Sequence, residues 1–348
     1  MTSQPDNHIG QKILENACAG GNITVGNITQ TQNFSNLGNI PKPTGFPQNI
    51  PSSSTNKFIG RGKELERLHQ KLERSDEVVI AAVAEMGGVG KTELAIQYSL
   101  LHLQLHSYPG GICWLQAREQ DISLQILKFT RTDLGLQPPE DLELKERVRW
   151  CWTHWPKEGK KLIVLDDVKN YKQIESFLPP QPSEFKVLIT TRLKLNLADS
   201  LFLEVLDEIA ALQLLTQLIG EEKISQDLVN AKKLCQRLGY LPLALQLVGH
   251  YVNDLDISLV KLLQELEKKG LEHSSLVVDD NDPTWTSNIK RGVAAAFELS
   301  WEELSESAKQ LGCLLSLFAL APIPWSLVES AAPELDSETL KAARGLPT

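Results

Sequence analysis

The sequence predicts an α/β fold: a parallel sheet covered by helices, followed by a region built of helices alone. Three observations predict it. Between residues 78 and 205, short continuous apolar runs alternate with helix-compatible segments, the pattern of strands buried on both faces. The first of these runs, 78–84, leads directly into a glycine-rich loop and then a helix. From about residue 206 onward only helical periodicity remains.

Taken in order, the elements begin with an atypical stretch, 1–56. Residues 12–19 read as a short helix. Residues 21–30 then repeat Gly-Asn-Ile-Thr at a spacing of five, and no charge occurs between Glu15 and Lys42. Pro41, Pro43, Pro47 and Pro51, with Ser52 to Ser54, read as an extended linker that leaves this stretch free of the rest of the chain. Leu65, Leu68 and Leu72 share one face of a helix. Strands are expected at 78–84, 111–115, 162–165, 187–190 and 201–205, with helices near 91–105, 121–134, 141–155 and 171–177. Helices only are expected at 207–219, 225–238, 242–252, 258–268, 289–300, 305–320 and 326–331. The acidic run Asp279-Asp280-Asn281-Asp282-Pro283 reads as a boundary between two helical units. The expected domains are therefore 1–56, 57–205, 206–278 and 289–348, the last ending abruptly after a helix start at Ser337.

Composition excludes several classes. Of 348 residues, 42% are hydrophobic and 23% charged, which is ordinary for a water-soluble globular chain. A net charge of −9 argues against a broad nucleic-acid footprint. The five cysteines are scattered, with no CxxC and no Cys/His cluster, so reduced cytoplasmic thiols are expected and no zinc site. The N-terminus lacks the basic segment and apolar core of a signal peptide. Residues 310–328 carry no charge, but Pro322 and Pro324 interrupt them, and Ser326 with Glu329 reads as a capping box. Two buried helices joined by a turn are expected there, not a membrane span. His102 and His106 lie four apart without an acidic or cysteine partner, and Trp150, Trp152 and Trp155 cluster; both groups read as packing.

The loop Gly87-Gly88-Val89-Gly90-Lys91-Thr92 carries the chemistry. Its glycines let backbone N–H groups curl around phosphate oxygens. Lys91 reaches the β- and γ-phosphates, and the Thr92 hydroxyl ligates Mg²⁺. The helix that begins here, with Glu93 in its first turn, points its positive end at the anion. The full pattern is G-x-x-x-x-G-K-[ST], and Glu85 stands at its first position.

A second apolar run, Leu162-Ile163-Val164-Leu165, ends in Asp166-Asp167. A phosphate–Mg²⁺ site needs an acid on a strand beside the one feeding the loop, which gives Asp166 the metal and Asp167 the attacking water. A third run ends in Thr190-Thr191-Arg192 at the same edge of the sheet, which puts Arg192 where it senses a γ-phosphate.

With these motifs in order, residues 57–348 resemble an NB-ARC ATPase of the STAND class, and the resemblance implies a P-loop NTPase sheet, an all-helical domain and a partial winged-helix domain. Phe58-Ile59-Gly60-Arg61 resembles the family motif that cradles adenine and ribose. Leu165-Asp166-Asp167-Val168 resembles its Walker B segment. Leu238-Gly239-Tyr240-Leu241-Pro242-Leu243-Ala244 resembles its GLPLA motif, whose proline contacts adenine. Phe297-Glu298-Leu299-Ser300-Trp301 resembles the start of its winged-helix region. Three departures stand out: Glu85, the lack of the family's His-containing MHD motif, and the lack of sensor repeats. The last two imply a C-terminally truncated member.

The resemblance implies a switch that binds ADP and ATP with Mg²⁺, self-associates in the ATP state and hydrolyses ATP slowly to reset, in the cytoplasm and without a membrane. Two other readings compete with it: a winged-helix transcription regulator with an ATPase switch, and a nonfunctional truncated remnant. Residues 20–40 are amide-rich, β-branched and uncharged, which suits cross-β stacking. They resemble the amyloid-type signalling motifs of some microbial STAND proteins, which would pass the signal to a downstream effector; a disordered tail and a small β-hairpin are the alternative readings.

Overall fold

A computed structural model describes residues 23–25, 28–30, 46–53, 55, 58–82, 87–118, 121–155, 158–180, 184–192, 199–272, 284–318, 323 and 325–331. The expectations for residues 12–19, Glu85, 279–283 and Ser337 fall outside them. The chain divides into two compact units, Met1–Ala210 and Ala211–Thr348.

The first unit holds a five-stranded parallel sheet. Its strands are β3 (Glu77–Ala82), β4 (Ile112–Gln116), β5 (Lys161–Val168), β6 (Phe185–Thr191) and β7 (Ser200–Leu203), in the order β4-β5-β6-β3-β7. β5 and β6 are nearly all buried, so their side chains are apolar on both faces rather than alternating. Ile163, Leu165, Val187 and Ile189 pack with Phe129, Trp152 and Trp155 in one core. The two tryptophans are core residues, and their indole N–H groups donate to the carbonyls of Phe177 (3.0 Å) and Gly110 (2.7 Å). Helix Gly62–Arg74 buries Leu65, Leu68 and Leu72, the three residues whose spacing marks its inner face.

Two short strands, β1 (Ile23–Val25) and β2 (Ile28–Gln30), pair antiparallel, with Thr24 opposite Thr29. The two copies of the Gly-Asn-Ile-Thr repeat thus contribute one strand each.

The proline-rich linker is not free of the domain. Residues 46–50 run along the outer edge of β4. The Ile112 N–H donates to the Pro47 carbonyl (3.0 Å), and Gln48 bridges Ile112 in parallel. The Asn49 side chain then replaces a backbone unit: its Oδ1 accepts from the Trp114 N–H (2.6 Å) and its Nδ2 donates to the Trp114 carbonyl (2.8 Å). Ile50 is buried. Gly111 permits the close approach, since a Cβ there would lie 2.8 Å from the Pro47 oxygen. A segment whose prolines read as a loose linker is therefore an edge strap. It caps one exposed row of sheet hydrogen-bonding groups.

The second unit contains only helices among the described residues: Glu221–Gln226, Leu228–Arg237, Pro242–Leu255, Leu259–Glu272, Thr284–Glu302, Glu306–Ser316 and Trp325–Ala331, together with most of Glu208–Ile219. Leu234, Leu245, Val252, Leu262 and Ala296 lie in its interior. Helix Glu221–Gln226 was not expected. Gly220, with φ 93, ends the preceding helix, and Asp227 caps the next by accepting from the Asn230 N–H, so six residues between them form a separate turn. Ser326 is not a helix cap as expected: the helix already starts at Trp325, and the Ser326 carbonyl accepts from the Ser330 hydroxyl. No helix of the described residues is long and apolar enough to cross a membrane. Residues 332–348, on which part of the winged-helix expectation falls, lie outside the described residues.

Candidate phosphate-binding site

The site lies at the carboxyl end of the parallel sheet, where β3 gives way to the glycine loop and helix Lys91–Gln104. Gly88 and Gly90 have φ of 77 and 99, values that favour glycine. Gly90 is the residue before the helix, and a Cβ built on Gly87 or Gly90 meets nothing within 4 Å. The loop thus presents open space at the positive end of a fourteen-residue helix. Val89 is buried and anchors the loop.

Lys91 is 9% exposed. Burial first, and then the charge of Arg192, lower its ammonium pKa, while Asp167 and Asp166 oppose the shift. The Thr92 hydroxyl donates to Asp166 Oδ1 (2.7 Å), and the Thr190 hydroxyl donates to the same oxygen (2.6 Å). Burial raises the Asp166 pKa; the two hydroxyl hydrogen bonds pull it down, and the neighbouring Asp167 adds to the rise. The fold brings Lys91, Thr92, Asp166, Asp167 and Arg192 together.

The strand arrangement differs from expectation. Asp166 does not sit on the strand beside the loop strand: β6 lies between β5 and β3. Asp166 still reaches Thr92, and beside it the pairing between β5 and β6 shifts register between Leu165 and Val168. Such a bulge re-aims side chains. Asp167 takes φ 55 within it, a left-handed conformation rare outside glycine. The Asp167 N–H donates to the Thr190 hydroxyl (2.9 Å), so one threonine of the intervening strand orients both aspartates.

Asp167 Oδ2 accepts from two arginines, Arg192 Nη2 (3.3 Å) and Arg118 Nη1 (3.2 Å). Arg118 is absent from the sequence-based site. It follows β4, whose last residue Gln116 stands in register with Asp166, and the Ala117 N–H donates to the Asp166 carbonyl (2.8 Å). A basic residue at a third strand's carboxyl end was the available signal.

The remaining candidates have definite places. Gly60 has φ 74, and a Cβ on it would stand 2.3 Å from Ala210 Cβ. Phe58 and Ile59 are half-buried before it. The Arg61 guanidinium is buried; its Nη2 donates to the carbonyls of Val89 (3.2 Å) and Glu204 (2.6 Å), and its Nη1 to Glu64 (3.3 Å). It ties the phosphate loop to the chain after β7. Glu93 accepts from Ser53 Oγ (2.6 Å) and Gln97 Nε2 (2.8 Å), joining the loop helix to the strap segment. Pro242 belongs to the second unit, where it opens its helix at a position that needs no N–H donor.

The residues fit a polyphosphate and its divalent cation: an open glycine cradle at a helix N-terminus, a lysine, and a hydroxyl paired with a carboxylate. Among known protein families, the NB-ARC domain matches residues 61–223. Regulatory protein AfsR of Streptomyces griseus is 29% identical over 222 residues, covering 60% of this chain and 22% of that protein. Transcription activator GutR of Bacillus subtilis is 23% identical over 318 residues, covering 81% of this chain and 36% of that protein. The chain thus spans well under half of the length of either relative. Among solved structures, it resembles a signal transduction ATPase with numerous domains and a tetratricopeptide repeat sensor from Pyrococcus horikoshii. That likeness has 19% identity and a TM-score of 0.38, over 82% of this chain and 50% of the other.

Proposed function

Residues 61–223 carry an NB-ARC domain, the P-loop ATPase module of the STAND class, and on that premise we propose that the chain is an ATP/ADP-dependent signalling switch. The observation that carries the proposal is the hydrogen bond from Thr92 to Asp166, which joins the phosphate loop to the acid-bearing strand. The nucleotide, with Mg²⁺, supplies a transferable terminal phosphoryl group. Gly87, Gly88, Val89, Gly90 and Lys91 hold its phosphates, and Thr92 and Asp166 hold the metal. Asp167 orients the attacking water, and Arg192 contacts the γ-phosphate. Phe58, Ile59 and Gly60 serve the base and sugar. Arg61 acts there through its hold on Val89. Hydrolysis is slow and resets the switch.

In this reading the chain is cytoplasmic and self-associates in the ATP state, and residues 20–40 pass the signal to an effector. The domains divide at 57–205, 206–278 and 289–348, the last of winged-helix type. A second reading, a transcription regulator with an ATPase switch, draws on the similarity to AfsR, a regulatory protein, and GutR, a transcription activator. Light scattering on the protein with ADP and with a non-hydrolysable ATP analogue tests the switch. A larger mass with the analogue alone is expected. One mass in both states counts against it, and retention of a DNA duplex favours the second reading.

A further inference from the structure

Asp167 receives two guanidinium groups on a single oxygen, Oδ2, one from Arg118 after β4 and one from Arg192 after β6. β4 and β6 flank β5, the strand that carries Asp167, so the arginines approach from either side. A carboxylate held in this way has its charge largely compensated and is poorly suited to polarising water. One of the two arginines, Arg192, and Asp167 itself also act electrostatically on Lys91. At the carboxyl edge of the sheet Lys91, Arg118 and Arg192 outnumber Asp166 and Asp167, leaving an edge suited to an added anion. Planar guanidinium groups bind phosphate oxygens as readily as carboxylate oxygens.

We propose that Arg118 is a second γ-phosphate-reading residue, and that the Asp167 carboxylate holds Arg118 and Arg192 in place of the terminal phosphate when no triphosphate is bound. When a nucleoside triphosphate binds, the two arginines exchange Asp167 for the γ-phosphate oxygens, and Asp167 is freed to accept from water. A diphosphate lacks the competing oxygens and leaves the arginines on Asp167. Arg118 therefore discriminates ATP from ADP and couples that discrimination to the release of Asp167. This rests on the nucleotide-binding reading above.

The test is calorimetric titration of the full chain with Mg²⁺–ADP and with a Mg²⁺-bound non-hydrolysable ATP analogue, for the wild type, Arg118→Ala and Lys91→Ala. Arg118→Ala is expected to weaken the analogue roughly ten- to hundredfold, the scale of a hydrogen bond to a charged group. ADP affinity should stay within about threefold, which also reports a folded variant. If Arg118→Ala does not fold, Arg118→Lys takes its place, with an expected selective loss for the analogue of about three- to tenfold. An unchanged ratio of the two affinities, or an equal loss of both, overturns the role of Arg118 while leaving the nucleotide site standing. A wild type that binds neither nucleotide, or a Lys91→Ala variant that binds both unchanged, overturns the site itself and this proposal with it.

Discussion

The Thr92 hydroxyl donates to Asp166 Oδ1 at 2.7 Å across 74 residues of sequence. Asp166 belongs to β5 and Thr92 to the helix that follows β3, and β6 separates those two strands in the sheet. Thr190, on that intervening strand, donates to the same oxygen and accepts from the Asp167 N–H. The hydroxyl–carboxylate pair is therefore held by two strands and the helix after the phosphate loop, and its geometry follows from strand order as much as from the residues themselves.

Because burial raises the Asp166 pKa, its ionised form is disfavoured in the folded chain. The folded pKa lies above the unfolded one, so stability is greatest below the unfolded value and falls as pH rises through the folded value. Asp166→Asn keeps an oxygen for Thr92 and Thr190 without the charge. It is expected to raise the melting temperature of the nucleotide-free protein by a few degrees at neutral pH, with the gain vanishing near pH ~3, below the usual carboxylate pKa. The same variant should lose the Mg²⁺ dependence of ATP binding. Thermal melts across pH check the first expectation, and titrations with and without Mg²⁺ check the second.

Gly60→Ala should destabilise the first unit. Its φ of 74 and the 2.3 Å approach of a new Cβ to Ala210 force the backbone to move. A cost of roughly 1–3 kcal/mol is expected from strain and overpacking. Arg61 comes next in sequence and holds Val89, so nucleotide affinity should fall along with stability. Urea unfolding with and without ADP measures both.

Asn49→Ala removes two hydrogen bonds from the edge of β4 and leaves the Trp114 N–H and carbonyl without their side-chain partners. A loss of about 1–3 kcal/mol is expected. Hydrogen exchange should speed up at Trp114 before it does at Leu165 in the sheet interior. Equal exchange in variant and wild type would mean that the strap contributes nothing to the edge.

The repeat segment gives a separate test. A peptide of residues 18–40 at neutral pH should form thioflavin-binding fibrils with a strand spacing near ~4.7 Å. A peptide that stays monomeric at millimolar concentration for days would contradict a templating role for residues 20–40.

Much of the fold and the site was legible in the sequence. The strands of the parallel sheet are apolar runs; Asp166, Asp167 and Arg192 stand at the ends of two of them, and Lys91 and Thr92 close the glycine loop that follows the first. What was not legible is non-local. The position of β6 between β5 and β3 depends on which strands pair, and every one of these runs is apolar enough to occupy any central place. Arg118 lies two residues beyond β4 in no recognisable motif, and its meeting with Asp167 depends on the register of Gln116 with Asp166. The strap at 46–50 was hidden by its prolines, which cannot donate to a ladder. Asn49 supplies the missing donor and acceptor from its side chain.

Nucleotide retention by the purified chain tests the central claim most directly. The protein is denatured, the released nucleotide is quantified by chromatography, and the wild type is compared with Lys91→Ala after loading with Mg²⁺–ATP and desalting. The account predicts close to one ADP or ATP per wild-type chain and almost none on a Lys91→Ala chain that melts like the wild type. Equal nucleotide on both proteins, or none on the wild type at millimolar loading, would contradict it.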